Sequence, residues 1–363
     1  MSIIRIGIIK RSMIVLFKIW KGKSAMTKML FTVEEYDGAN NAGPKAKEDI
    51  EQILKNRKFK IVSQQINIHS KISKLSAYLF TIPRMFPKNQ FVDELYFQYP
   101  TYSSFLMKKL IKKLKQHCAK LIFIIHDIES LRIFVNNKDY WYSEKQLLNQ
   151  ADGLIVHNDQ MKKWLLDNGV NVPMISLEIF DYLSTFQPKL DFSFTKSVCF
   201  AGNLSKAKFL DKLALKNISL TVYGPNAADN YKNGVKYEGQ YSPNDLPNYL
   251  TQDFGLVWDG TSIITCDGKF GNYMKYNNPH KVSLYLSCGI PVVIWKKAAL
   301  ANFIVNNNLG IAVESLGEMD EAIAKMEEND YKRYKRNALE ISKKLRMGYY
   351  TQKAVNSIQE ELH

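Results

Sequence analysis

Five consecutive residues, Asn277-Asn278-Pro279-His280-Lys281, set two amides, an imidazole and an ammonium directly ahead of an apolar run from Val282 to Cys288. The run reads as a buried helix stopped by Gly289, and Val292 to Trp295, beyond the Ile290-Pro291 turn, as a buried strand. A helix start gathers unpaired N–H groups and the positive end of the dipole, so it attracts anions. His280 and Lys281 add donors and charge at that end, and the chemistry expected there is phosphate binding. Upstream, the apolar run Phe254–Trp258 delivers Asp259 to a strand end. A polar, glycine-containing loop then leads to Asn278, a spacing that suits a nucleotide diphosphate lying across the domain. In "FAGNLSKAKFL", Gly202 permits close backbone approach, Asn203 can cap the next helix, and Lys206 or Lys208 could reach a phosphate. A glycine-asparagine turn is as often purely structural. Tyr223 ends another strand, where its ring could stack on a nucleobase or pack in the core.

A second group of polar residues falls in the first half of the chain. Leu121–Ile125 ends in His126-Asp127, which either caps the following helix or removes the proton of an attacking hydroxyl. "EEYDGANNAGPK" is the first strand–helix loop, and its Asp37, Asn40 and Asn41 are candidates for binding the hydroxyls of a ligand. "FQYPTYSS" offers Gln98 as a polar contact and Tyr99 as an aromatic platform for a ligand ring.

The elements that must carry these residues alternate along the chain. Met29–Val33, Phe59–Val62, Glu94–Phe97, Leu121–Ile125 and Gly153–Val156 are short apolar runs suited to a mostly parallel buried sheet. Helical stretches separate them, among them Lys45–Asn56, Ser70–Leu79, Ser103–Cys118 and Asp159–Asn168. After a lapse around Ile175–Lys189 a second series follows: Ser197–Phe200, Ser219–Tyr223, Phe254–Trp258, Pro291–Trp295 and Gly310–Val313. Two such series imply two doubly wound α/β domains facing one another, with ligands beyond the carboxyl ends of the strands. The expected division is a basic apolar extension over 1–25, a first Rossmann-like domain over 26–175, a second Rossmann-like domain over 176–346 that holds the phosphate-binding mouth, and a terminal helix over 347–363.

Composition bounds the partners. The 363 residues are 46% hydrophobic and 23% charged, ordinary for a soluble globular protein. Fifty basic against 35 acidic residues give a net charge of +15, which points to polyanionic partners. Zinc-finger spacing, an aromatic ribonucleoprotein-like run and a basic arm are all missing, so acidic lipid or phosphorylated substrate is preferred over nucleic acid. The lysines of 103–118 lie mostly off its leucine stripe, as a solvated face or one that docks on acidic lipid. Cys118, Cys199, Cys266 and Cys288 have no C-x-x-C spacing and are expected to be buried reduced thiols. Residues 1–25 are apolar but interrupted by Arg5, Lys10, Arg11, Lys18 and Lys21. They read either as a basic amphipathic helix on an anionic surface or as the product of an upstream start site ahead of Met26. A cytoplasmic protein is expected, peripheral contact with the inner face of the plasma membrane and self-association both being left open.

"NNPHKVSLYLSCGIPVVIW" resembles the donor-binding half of the GT-B glycosyltransferases. With "IIHDIESL", "FAGN" and "FGLVWDG", the resemblance narrows to a branch of bacterial galactofuranosyltransferase-like proteins and glucosyltransferases that extend GlcNAc on serine-rich adhesins. It covers Met26 to the C-terminus and is more specific in the second domain. It implies a UDP-sugar donor, glucose or galactofuranose, and a lipid- or protein-linked saccharide acceptor. It also implies that Lys281 and the turn before it contact the pyrophosphate, that Lys206 is a further basic contact, and that Tyr223 touches uridine. Leu284 departs from the pattern: many GT-B enzymes carry a glutamate there for the ribose hydroxyls, so ribose must be recognised elsewhere. No D-x-D triplet occurs, so metal-independent transfer without a cofactor is expected, the lysines and helix start neutralising the leaving diphosphate. GT-B folds also serve as non-catalytic subunits or chaperones of transferase complexes. The intact donor mouth opposite His126-Asp127 favours the enzyme.

Overall fold

The computed structural model describes residues 26–35, 42–66, 70–86, 90–101 and 103–363. The extension over 1–25 and the loop candidates Asp37, Asn40 and Asn41 lie outside the described residues. The first sheet is built from β1 (Lys28–Glu35), β2 (Lys60–Ile66), β3 (Val92–Tyr99), β4 (Cys118–Ile125), β5 (Gly153–Val156) and β6 (Met174–Ser176). Its strand order is β2-β1-β3-β4-β5-β6, and every pairing is parallel. The second comprises β7 (Ser197–Ala201), β8 (Ser219–Tyr223), β9 (Val235–Tyr237), β10 (Phe254–Val257), β11 (Val292–Trp295) and β12 (Gly310–Val313). Its order, β12-β11-β10-β7-β8-β9, is again wholly parallel. Parallel sheets bury both faces of their inner strands, which is why β5, β10 and β11 read as continuous apolar runs while the edge strands β2 and β9 do not. Phe31, Phe97 and Phe123 pack to one side of the first sheet, and Leu30, Tyr96 and Ile122 to the other.

Helices α1 (Ala42–Asn56), α2 (residues 71–84), α3 (Ser104–Lys115), α4 (Glu129–Arg132), α5 (Lys138–Leu148) and α6 (Asp159–Asp167) accompany the first sheet. The second carries α7 (Gly268–Tyr273), α8 (His280–Ser287), α9 (Ala301–Asn306), α10 (Leu316–Lys325) and α11 (Glu328–Arg346), and the chain closes with α12 (Tyr349–Leu362). Helix α2 runs past the expected stop at Leu79 through a wide π turn, Ala77–Thr81, just ahead of Pro83. Proline lacks a donor and clashes with the preceding turn, so widening the ladder there lets the helix continue. All four cysteines are buried and free.

The chain crosses between the sheets twice. After β6 it passes through residues 177–196 to β7, and after α11 it returns, so that α12 packs on β5, β6 and α1. Arg57, just past the end of α1, donates to the Gln352 carbonyl at 3.2 Å and to Asn356 at 2.6 Å, while Gln359 donates to Glu94 of β3 at 2.6 Å. The two crossings are joined to each other. The buried Asp181 carboxylate accepts from the N–H groups of Tyr350 at 3.1 Å and Thr351 at 2.6 Å, capping the start of α12, and Tyr182 N–H donates to the Leu345 carbonyl at 3.2 Å. Asp49 of α1, paired with Lys45, accepts from Leu183 N–H at 3.1 Å and holds the first crossing against the first sheet.

Candidate active site between the two sheets

On the second sheet, the carboxyl ends of β7, β8 and β10 converge on the start of α8. Lys281 lies across Gly202: a Cβ at that glycine would sit 2.9 Å from the lysine Cε. The ammonium reaches Asp259 at 3.0 Å and stands 4.6 Å from the centre of the Phe200 ring. Gly202, Asp259 and Lys281, read separately from the sequence, therefore form one cluster. Beneath it, Gly224 crosses the backbone of Gly202, and a Cβ there would fall 1.8 Å from the Gly202 carbonyl oxygen. Backbone cannot yield to that contact, so Gly224→Ala should cost about 2 kcal/mol or more, seen as a lower urea midpoint. Lys206 is exposed, its ammonium 4.8 Å from the Phe270 ring centre, on the rim formed by the loop after Asp259.

Other donor-side candidates have different duties. Asn203 directs its Oδ1 to the N–H (3.1 Å) and hydroxyl (2.7 Å) of Ser205 and to the Asn226 amide (3.0 Å), so it shapes the turn. Tyr223 is 4% exposed, its hydroxyl held by the Tyr249 carbonyl at 3.0 Å and by Gln252 at 3.2 Å, which makes it a core residue without a free stacking face. Asn278 is likewise buried and fully engaged. Its Nδ2 donates to the His157 and Glu178 carbonyls at 2.6 and 3.2 Å, and its Oδ1 accepts from Asn158 at 2.7 Å. The amide is spent in tying the lead into α8 to the end of β5, and no group remains for a diphosphate. His280 does not add the expected charge. Burial pushes its pKa down to about 3, its ring sits against Phe180 and Tyr182, and its buried Nε2 has no hydrogen-bond partner.

Across the seam, His126 and Asp127 follow β4. Gln98 Nε2 donates to Thr32 Oγ1 at 2.8 Å and to the Lys47 carbonyl at 3.2 Å, which fixes the orientation of its amide. Gln98 Oε1 then faces His126 Nε2 at 2.7 Å. An amide oxygen only accepts, so Nε2 carries the proton and Nδ1 keeps the lone pair. Burial and the nearby Lys47 hold this imidazole well below its ordinary pKa, and its ring stacks on Phe180 at 5.7 Å. Gln98 is wholly buried, so it orients His126 and does not reach an acceptor. Tyr99 is also no platform: its ring packs on Phe123 and its hydroxyl donates to Glu144 at 3.3 Å.

Asp127 does not cap α4, whose N-cap position belongs to Ile128. Its carboxylate pairs with Arg132 at 2.9 Å and accepts from the Tyr273 hydroxyl. Burial raises its pKa to about 7 against the opposing pull of Arg132. Arg132 also pairs with Glu129 at 2.6 Å, and Glu144 accepts from the N–H groups of Glu129 and Ser130 at 3.0 and 2.9 Å. Tyr273, from α7 on the second sheet, accepts from Ile128 N–H at 3.1 Å. Sequence reasoning missed Arg132, Tyr273, Phe180 and His157. The i,i+3 pairing of Glu129 with Arg132 in "HDIESLR" was a legible signal for the first. Among the described residues, no group of three or more His, Cys, Asp or Glu is placed to hold a metal ion.

Two facing parallel sheets, a cationic helix start on one and a histidine-carboxylate pair on the other, define the class as a GT-B glycosyltransferase. Within it, the family model described as Glucosyltransferase 3-like matches residues 28–179 with its N-terminal domain and residues 198–358 with its C-terminal domain, and the chain belongs to this family. It is 38% identical over 248 residues to the beta-1,6-galactofuranosyltransferase WbbI of Escherichia coli, covering 67% of this chain and 72% of that protein. It is 29% identical over 269 residues to glucosyltransferase 3 of Streptococcus gordonii, covering 72% and 78%. Among solved structures, an alpha-glucosyltransferase in complex with UDP aligns over 93% of this chain and 100% of its own at a TM-score of 0.58, with 12% identity.

Proposed function

We propose that this chain transfers a hexosyl unit, glucose or galactofuranose, from a UDP-sugar to a saccharide acceptor in the assembly of cell-surface polysaccharide or glycoprotein, without a metal ion. The observation that carries the reading is the convergence of Lys281, Asp259 and Gly202 at the start of α8, opposite His126-Asp127. The names of the relatives supply the two sugars, and the UDP-bound structural neighbour supports the nucleotide. Lys281, held by Asp259, and the α8 N–H groups take the diphosphate, with Lys206 as a second cation at the rim. The unpartnered Nε2 of His280 supplies a further polar contact to the donor. Asp127 accepts the proton of the attacking hydroxyl, and His126 orients the carboxylate or the acceptor. Asp37 and Asn40 remain the proposed acceptor contacts. The reaction is placed on the cytoplasmic side of the membrane.

Incubating the protein with a panel of UDP-sugars and reading the melting temperature tests the donor assignment. The true donor should raise it, whereas indifference to every UDP-sugar would sink the reading. Transfer should also survive EDTA, since lysines and a helix start neutralise the leaving group in this scheme. Loss of activity on chelation, restored by manganese or magnesium, would overturn the metal-free part.

A further inference from the structure

We infer that α2 and α3 form a docking face for an anionic phospholipid bilayer. Five large apolar side chains are presented to solvent there: Ile72 (82% exposed), Leu75 (52%), Leu79 (50%), Phe80 (53%) and Phe105 (54%). The first three recur at i, i+3 and i+7, the spacing of one helix face. They do not form a stray patch on a mixed-charge surface. Residues 70–86 and 103–117 together carry eight lysines and arginines and no carboxylate. The bases surround the apolar groups: Lys109 stands 4.6 Å from the centre of the Tyr78 ring, which stacks on Phe105, and Arg84 lies 5.5 Å from Phe80. An apolar stripe flanked by cations of one sign fits the chemistry of an acidic headgroup layer with hydrocarbon behind it.

The location gives this face a use. Helix α2 follows the carboxyl end of β2, and α3 follows that of β3, so both helices begin at the edge of the first sheet that carries His126-Asp127. Between their first turns lies a pocket lined by Lys71, Lys74, Leu75, Ser103, Ser104 and Phe105. A saccharide carried on a membrane lipid would thus meet the acceptor side of the cleft as the protein docks. This deepens the lipid-linked form of the proposed acceptor and rests on the glycosyl-transfer reading only for that consequence. No helix of the described residues is long and apolar enough to cross a membrane, so the contact is superficial.

The experiment is co-sedimentation of the full chain with phosphatidylglycerol-containing vesicles and with vesicles of phosphatidylcholine alone. Binding should require the anionic lipid and weaken as salt is raised. Leu75→Ser with Leu79→Ser and Phe80→Ser should lower partitioning about tenfold or more, as should Lys71→Gln with Lys108→Gln and Lys112→Gln. These positions are solvent-facing or at the surface, so the melting temperature should stay within a few degrees of the parent, which controls for folding. Equal binding to both vesicle types would overturn the proposal. So would loss confined to a variant with Arg5, Lys10 and Arg11 changed to glutamine, or retention by both helix variants. Stabilisation by UDP-sugar, measured on the same samples without vesicles, reports separately on the donor assignment, so the two failures are distinguishable.

Discussion

Asp127→Asn should lower kcat by roughly 10²–10⁴-fold while leaving the affinity for UDP nearly unchanged. The nucleotide is assigned to the second sheet, whereas proton removal from the acceptor belongs to the transition state alone. A carboxylate with a pKa near 7 is well matched to that task, and it also sets the pH profile. The ionised form is the active one, so kcat should fall about tenfold per pH unit below 7. Arg132→Ala removes the cation that lowers this pKa and should move the acid limb to higher pH. Stability provides the control. Burial raises the folded-state pKa above that of the unfolded chain, so the favourable contribution is complete in acid and is lost as the pH rises through about 7. The neutral asparagine should therefore melt no lower than the parent at pH 8. A near-parental rate in Asp127→Asn, with a flat profile from pH 6 to pH 8, would remove Asp127 from the chemistry and turn attention to Asp37.

Lys281→Ala should weaken UDP binding and turnover together, by roughly ten- to hundredfold, through loss of a charge-assisted contact to the diphosphate. The ion pair adds a twist that the sequence did not foretell. Removing the lysine, which meets Asp259 at 3.0 Å, leaves that carboxylate without its ion-pair partner and facing an anionic ligand. Asp259→Asn introduced into the Lys281→Ala background should accordingly recover part of the lost affinity, a non-additive pair measurable as a double-mutant cycle. Unchanged nucleotide affinity in a folded Lys281→Ala would exclude this lysine from the donor site.

Periodicity carried the fold well. The runs that became β5, β10 and β11 needed no tertiary information, because strands buried on both faces must be apolar throughout. The three-residue strands β6 and β9 were missed, since so short a run at a sheet edge has too little pattern to stand out. At the site, the residues whose chemistry depends on the backbone were legible: Gly202 by its turn, Lys281 by its helix start. Residues whose role depends on what faces them were not. Asn278 and His280 sit within the same five-residue stretch as Lys281, yet one is consumed by the seam with β5 and the other is kept neutral among Phe180 and Tyr182. Tyr99 and Tyr223 looked like platforms because an aromatic ring at a strand end is ambiguous between core and ligand. Their hydroxyls, bound inside the protein, resolve the ambiguity. Tyr273 lies 145 positions from its partner Ile128, beyond the reach of any local pattern.

The bonds from Asp181 to the start of α12 and from Tyr182 to Leu345 have a mechanical meaning. Two covalent tethers between rigid bodies would ordinarily leave several ways to move, including a sideways slip or a twist. Stitched together at one place, they act as one knuckle, so any parting of the sheets is expected as a swing about residues 181–183 and 345–351 that also releases the seam bonds of Asn278 and Tyr273. Such a swing would return the facing strand ends to the same registration each time, so their alignment would be inherited from the knuckle and need not be found afresh.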